Sequence, residues 1–204
     1  MNPHNQNVTR GYGLLEEFLA KKRGRVADGL IPLDYRNGRI LDIGCGSFPV
    51  FLVNINFAEK YGLDKISGNY KNALQDHGIS FLEYDIEYQN NLPYQDNFFN
   101  AITILAVFEH IEPKKTLAIL NEIYRILKPG GICVLTTPSV WAVLPLKIMA
   151  KCGLVSSAEL AEHKYAYKPS ELISIFEKTP FAKENLQLGY FELGMNIWIT
   201  AKKF

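Results

Sequence analysis

Ile40-Leu41-Asp42-Ile43 is a short apolar run that ends on two glycines spaced one residue apart, Gly44 and Gly46. A run of this length reads as a buried strand. Glycines at its end let the chain turn sharply and bring bare backbone up to a ligand, because neither sets a Cβ in the way. Asp42 stands two positions before the first glycine. The arrangement predicts the first strand of an α/β sheet with a nucleotide-like cofactor over its C-terminal end. Taken alone, a plain turn explains the glycine pair equally well.

The rest of the chain extends this pattern. Apolar periodicity predicts a helix over 13–29, strands over 39–43, 58–64, 80–84, 101–107 and 132–136, and helices over 67–77, 113–127 and 169–177. Val50 to Phe57 fits a helix or a loop. Lys128-Pro129-Gly130-Gly131 is expected to stop the helix before it. Strands alternating with helices argue a mostly parallel sheet covered on both faces. The ending breaks the rhythm. Runs over 186–192 and 195–201 are joined through Gly194 with no room for a helix, so they are expected to pair as an antiparallel hairpin.

Bulk properties narrow the classes. The 204 residues suffice for one domain with a sizeable core, and a formal net charge of +1 gives no field to hold nucleic acid or an anionic membrane. Cys45, Cys133 and Cys152 are odd in number and lack metal-ligand spacing, which predicts reduced thiols in a cytoplasmic protein and no metal site. Residues 1–10 are polar, without the apolar core of a signal peptide, and are expected to be a disordered tail before a single domain over 11–204. No apolar run reaches membrane-spanning length.

Two more carboxylates fall at strand ends. Asp64 follows Asp42 by 22 residues and closes the second strand, where it could accept hydrogen bonds from two ribose hydroxyls. Asp85 closes the third, within reach of an adenine amino group, with Ile86 to pack on the purine. Each has a bland alternative as a turn or cap residue.

Together these pieces resemble the class I S-adenosylmethionine-dependent methyltransferases. The resemblance rests on Leu41-Asp42-Ile43-Gly44-Cys45-Gly46, Tyr61-Gly62-Leu63-Asp64, Tyr84-Asp85-Ile86, the stretch 92–99, Phe108-Glu109-His110-Ile111, Leu127-Lys128-Pro129-Gly130-Gly131 and the closing hairpin. It implies a Rossmann-like three-layer α/β/α sandwich around a seven-stranded, mostly parallel sheet with the antiparallel hairpin at its end. It implies S-adenosyl-L-methionine as cofactor and S-adenosyl-L-homocysteine as product. It puts Gly44, Gly46 and the Cys45 backbone under the methionine part and Asp42 near its amino group. Asp64 falls on the ribose, Asp85 and Ile86 around the adenine, and Ala106 and Val107 near the sulfonium. The sequence departs from the family at two places: Phe48 replaces a third glycine, so the next helix is expected to start late with Phe48 packed near the cofactor, and Asn100 replaces an aspartate.

Methyl transfer needs a general base only when the acceptor must lose a proton, and histidine suits that task. His110, after the fourth strand, and His163, in Glu162-His163-Lys164-Tyr165-Ala166-Tyr167, are the candidates, each with a structural alternative as a loop residue. Glu109 is expected to support the loop. Residues 138–168 read as an insertion that covers the substrate. Within it, 140–151 carries Trp141, Val143, Leu144, Leu146, Ile148 and Met149 beside Lys147 and Lys151. It is either an apolar cap over the site or an exposed surface for peripheral membrane contact. Both favour a small-molecule or lipid-like acceptor. A nicotinamide-dependent oxidoreductase, a non-catalytic binder of the same cofactor and a nucleic-acid methyltransferase are weaker alternatives. The basic run Lys21-Lys22-Arg23-Gly24-Arg25 reads as a solvated helix face.

Overall fold

A computed structural model describes residues 13–65, 74, 76–89 and 91–204. The expected tail over 1–10 and most of the helix expected over 67–77 lie outside these residues. The strands are β1 (Arg39–Ile43), β2 (Glu59–Asp64), β3 (Ile79–Glu83), β4 (Phe99–Leu105), β5 (Leu127–Pro138), β6 (Leu186–Phe191) and β7 (Asn196–Lys202). The helices are α1 (Glu16–Leu30), α2 (Val50–Asn54), α3 (Pro113–Ile126), α4 (Val143–Lys151), α5 (Ser157–Ala161) and α6 (Pro169–Phe176).

The seven strands form one sheet in the order β3-β2-β1-β4-β5-β7-β6. The pairs from β3 through β5 are parallel, while β7 runs antiparallel to both β5 and β6. The sheet has the expected mostly parallel form with a closing hairpin. Glu192, Leu193 and Gly194 turn that hairpin with positive φ. The strand order reverses between β1 and β4, the place where open α/β sheets leave a crevice beyond their strand ends.

Side chains that alternate along each strand build two cores. On one face Leu41, Ile43, Ile102, Ile104, Cys133 and Leu135 meet Leu120, Ile123 and Ile126 of α3 and Leu172 and Phe176 of α6. On the other, Ile40, Ala101, Ile132 and Val134 meet Ala27 of α1 and Phe51 and Leu52 of α2. Burying one such leucine or isoleucine stabilises the fold by about 2 kcal/mol. Pro113 opens α3 where its missing N–H costs nothing.

Two local expectations shift. The Pro-Gly-Gly segment does not merely stop a helix. α3 ends at Ile126, Leu127 already pairs with Phe99, and Lys128–Gly131 bulge out before Ile132 pairs with Ala101. Lys203 N–H bonds to the Gly131 carbonyl and so holds the bulge from the far side. Val50–Asn54, left open between helix and loop, is a single short helix that starts after Pro49. Asn100 has a definite task at the sheet's entry: its Oδ1 accepts the Arg39 N–H at 3.0 Å and the Lys128 ammonium at 3.2 Å.

Candidate active site

Beyond the C-terminal ends of β1 to β4 lies a cavity of about 190 Å³. Gly44 and Gly46 reach it from β1, Asp64 from β2, Asp85 and Ile86 from β3, and Ala106 and Val107 from β4. The fold therefore gathers seven of the nine cofactor candidates on one cavity. The other two lie beneath its wall. Asp42 is 3% exposed and Cys45 is 2% exposed, and neither lines the space.

Register explains the position of Asp42. It pairs with Thr103 in the parallel β1–β4 ladder, and the Thr103 hydroxyl donates to its carboxylate at 2.7 Å. Burial raises its pKa to about 7; the Thr103 bond opposes that rise and the Asp64 carboxylate adds to it. The Cys45 side chain turns into the second core beneath Gly62. Burial, with Asp42 and Asp64 close by, pushes its thiol well above the ordinary range, so it is inert at neutral pH.

The glycine turn is built to expose backbone. Gly44 and Gly46 have φ of 73° and 78°, a region that costs other residues about 1–2 kcal/mol. A Cβ on Gly44 would run into the Val107 side chain. Ala106, facing the same space, holds a φ of 56° without being glycine, and its N–H is tied to the Thr136 carbonyl at 3.0 Å. Such conformations persist where surrounding contacts enforce them, and they cluster at working sites. Asp64, 8% exposed, accepts the Gly46 N–H at 2.8 Å. The Asp85 carboxylate accepts the Glu87 N–H at 2.9 Å, an Asx-type turn that fixes the loop after β3. Phe48 is half-buried and does not line the cavity, contrary to the expectation that it packs beside the cofactor.

The opposite wall is the insertion together with α1. Leu146 and Met149 of α4, then Val155, Leu160 and His163, line the space. α1 adds Glu16, Leu19, Ala20 and Arg23, so Arg23 belongs to the cavity and not to a solvated helix face. No local signal marks this, because it depends on where α1 docks. That docking is fixed by Leu14 N–H and Leu15 N–H on the carbonyls of Gly153 and Leu154, and by Ser156 N–H on the Glu16 carboxylate at 2.7 Å. The Lys164 ammonium meets Glu87 at 2.7 Å and pins the insertion to the loop after β3.

The two histidine candidates meet where the insertion faces the turn after β4. The His110 and His163 rings are 4.8 Å apart, edge to face. His110 Nδ1 lies 3.3 Å from the Glu162 carbonyl. Burial lowers the pKa of His163 to about 4, with further lowering from His110 and Arg23, so at neutral pH it is a neutral imidazole and a weak base. Glu109, 1% exposed, accepts the Thr137 hydroxyl at 3.0 Å, and burial raises its pKa to about 7. Its carbonyl accepts the N–H groups of Lys164 and Tyr165, so it does support a loop, one contributed by the insertion.

Residues 41–135 match the family model described as a methyltransferase domain. The match spans just under half of the chain and takes in the strand ends around the cavity. A ubiquinone/menaquinone biosynthesis C-methyltransferase of Desulfotalea psychrophila is 30% identical to the chain over 109 residues, which are 50% of this chain and 42% of that protein. The chain thus spans less than half the length of that relative. A ubiquinone biosynthesis O-methyltransferase of Psychrobacter cryohalolentis is 23% identical over 214 residues, covering 96% of this chain and 75% of that one. Among solved structures, S-adenosylmethionine-dependent methyltransferases of Thermotoga maritima and Archaeoglobus fulgidus share the fold. Their TM-scores are 0.69 and 0.66, each at 19% identity and 92% coverage of this chain, with 90% and 94% of the other chains covered.

The cavity's own geometry suits S-adenosylmethionine, the cofactor named for these structural neighbours. The turn at Gly44 has no room for a side chain of its own and presents bare backbone. Asp64, almost buried yet on the wall, is an anionic acceptor suited to paired hydroxyls. Ile86 provides an apolar surface beside it.

Proposed function

We propose that this protein transfers a methyl group from S-adenosylmethionine to a small-molecule or lipid-like acceptor. The observation that carries the reading is the convergence of Gly44, Asp64, Asp85 and Ala106, from the ends of four neighbouring strands, on one cavity. When bound, S-adenosylmethionine supplies a methyl group on a positive sulfur, already activated for displacement. The protein's work is then alignment and exclusion of water. Asp64 holds the ribose hydroxyls, Asp85 and Ile86 frame the adenine, and the backbone around Gly44, Cys45 and Gly46 carries the methionine part. Asp42 supports it from beneath, held by the Thr103 hydroxyl at the base of the turn. Ala106 and Val107 shape the wall where the acceptor approaches. Where the acceptor must shed a proton, His110 takes it. His163, weakly basic, orients the acceptor instead.

The insertion over 138–168 selects the acceptor. Leu146 and Met149 on the cavity wall favour an apolar ring or chain. Two relatives are named for ubiquinone synthesis, which favours a ring bearing oxygens and an apolar tail. α4 supports a second feature of this reading, docking on a membrane surface. Its other side leaves Leu144 and Ile148 68% and 55% exposed, beside Trp141 at 78%. Among the described residues no helix is long and apolar enough to cross a membrane.

Calorimetry tests the reading. S-adenosylmethionine and S-adenosylhomocysteine should bind in the micromolar range and bind at least tenfold more weakly to Asp64→Ala. Binding of NAD(H) in their place would overturn it. A screen of apolar hydroxylated rings then follows by product mass.

A further inference from the structure

The cavity's acceptor end holds a set of side chains that methyl transfer alone does not require. Glu109, His110 and His163 each offer a ligand atom, and these atoms all lie within 4.8 Å of one another. Around an ion with bonds of about 2.1 Å, donor atoms are separated by roughly 3–4 Å, so modest side-chain rotation closes the set. Two imidazoles and one carboxylate are a donor set suited to Zn²⁺, Co²⁺, Mn²⁺ or Fe²⁺, and three protein ligands leave positions open.

The surroundings are those of a supported ligand set. The Thr137 hydroxyl holds the Glu109 carboxylate at 3.0 Å. His110 Nδ1 at 3.3 Å from the Glu162 carbonyl suits an N–H donor there, which makes Nε2 the ring's acceptor. A hydrogen bond from one imidazole nitrogen to a carbonyl is how ligating histidines are oriented. Glu16, Glu159 and Arg23 line the same cavity outside the triad. His163 comes from the insertion and Glu109-His110 from the turn after β4, so the site exists only when the insertion is docked.

We propose that Glu109, His110 and His163 bind one divalent transition-metal ion whose open positions face the acceptor. Such an ion would chelate an acceptor bearing two adjacent oxygens, a catechol or a hydroxy-ketone, and lower the pKa of the oxygen that is methylated by stabilising its anion; the proton passes to water, and with the ion bound His110 is a ligand and not the base. The acceptor class rests on the methyltransferase reading; the metal site does not.

The test is a Co²⁺ titration of chelator-stripped protein without cofactor, read by visible absorption. The expected result is ligand-field bands that saturate at one ion per chain. They should weaken at least about tenfold in affinity in His163→Ala, and persist in His77→Ala, whose ring is remote from the cavity. His163→Cys should add a thiolate-to-cobalt charge-transfer band absent from wild type, a signature that no general loosening of the fold produces. Absence of saturable bands in wild type, or bands unchanged in His163→Ala with no new band in His163→Cys, overturns the site. S-adenosylhomocysteine binding, measured in parallel on the metal-stripped protein, reports on the methyltransferase reading separately.

Discussion

The Gly46 amide donates to the Asp64 carboxylate across 2.8 Å, and this one bond ties the turn after β1 to the end of β2. The residue proposed to hold the ribose thus also fixes the loop proposed to carry the methionine part. Asp64→Asn keeps the shape and can still accept from Gly46, but it loses the charge. We expect Asp64→Asn to weaken S-adenosylhomocysteine binding about tenfold, or about 1.4 kcal/mol, and Asp64→Ala to weaken it more, because the loop is then released too. Calorimetry on both variants checks the order.

Gly44 is barred from carrying a side chain twice over, by its φ of 73° and by Val107. Gly44→Ala should lose about 1–3 kcal/mol of stability in urea unfolding and abolish cofactor binding. Adding Val107→Ala relieves the collision but not the backbone cost, so stability should return only in part. Full recovery would show that the left-handed turn is unimportant.

Asp42 predicts a pH effect of definite sign. Its native pKa, about 7, lies above the ordinary value of 3.8. Between these values the folded protein holds a proton that the unfolded chain has lost, so stability falls as pH rises through this window. The cost is absent below about pH 4 and complete above about pH 7, up to about 4 kcal/mol from the width of the shift. Asp42→Asn should gain relative stability toward pH 8, visible as a flatter plot of unfolding free energy against pH. An identical slope in both proteins would assign the effect elsewhere.

Membrane docking through α4 has its own test. Trp141, Leu144 and Ile148 lie outward beside Lys147 and Lys151. Wild type should co-sediment with vesicles rich in anionic phospholipid, and Trp141→Ala with Leu144→Ser should reduce the bound fraction several-fold without changing the unfolding midpoint. Equal sedimentation of both proteins would return α4 to the role of a plain cap.

What was legible in the sequence was whatever is local. β1 follows its predicted bounds because Ile40, Leu41 and Ile43 alternate between two apolar faces and a glycine ends the run. Asp64, Asp85 and Ala106 reached the cavity because strand ends converge in any parallel sheet. What stayed hidden depends on docking. Arg23 sits in a charged run like many solvated ones, and only the contact of α1 with residues 153–156 turns it inward. Glu109 and His163 are far apart in the chain and meet through the insertion, which no periodicity describes. The two faces of α4 could not be ranked from sequence because both are apolar. The early start of β5 is hidden in the sequence because Pro129, Gly130 and Gly131 signal an ending, whereas here they form a bulge inside a strand.

The place of β7 between β5 and β6 bears on how the chain is made. Synthesis delivers β6 before the strand that separates it from the rest of the sheet. Until residues 196–202 emerge, β6 has no neighbour and the Ile132–Pro138 side of β5 is a bare, apolar edge of the kind that recruits other chains. The nascent protein must carry that sticky margin while residues 139–196 are made, and a ribosome that stalls shortly before residue 196 would release a product more prone to aggregate than one stalled after residue 202.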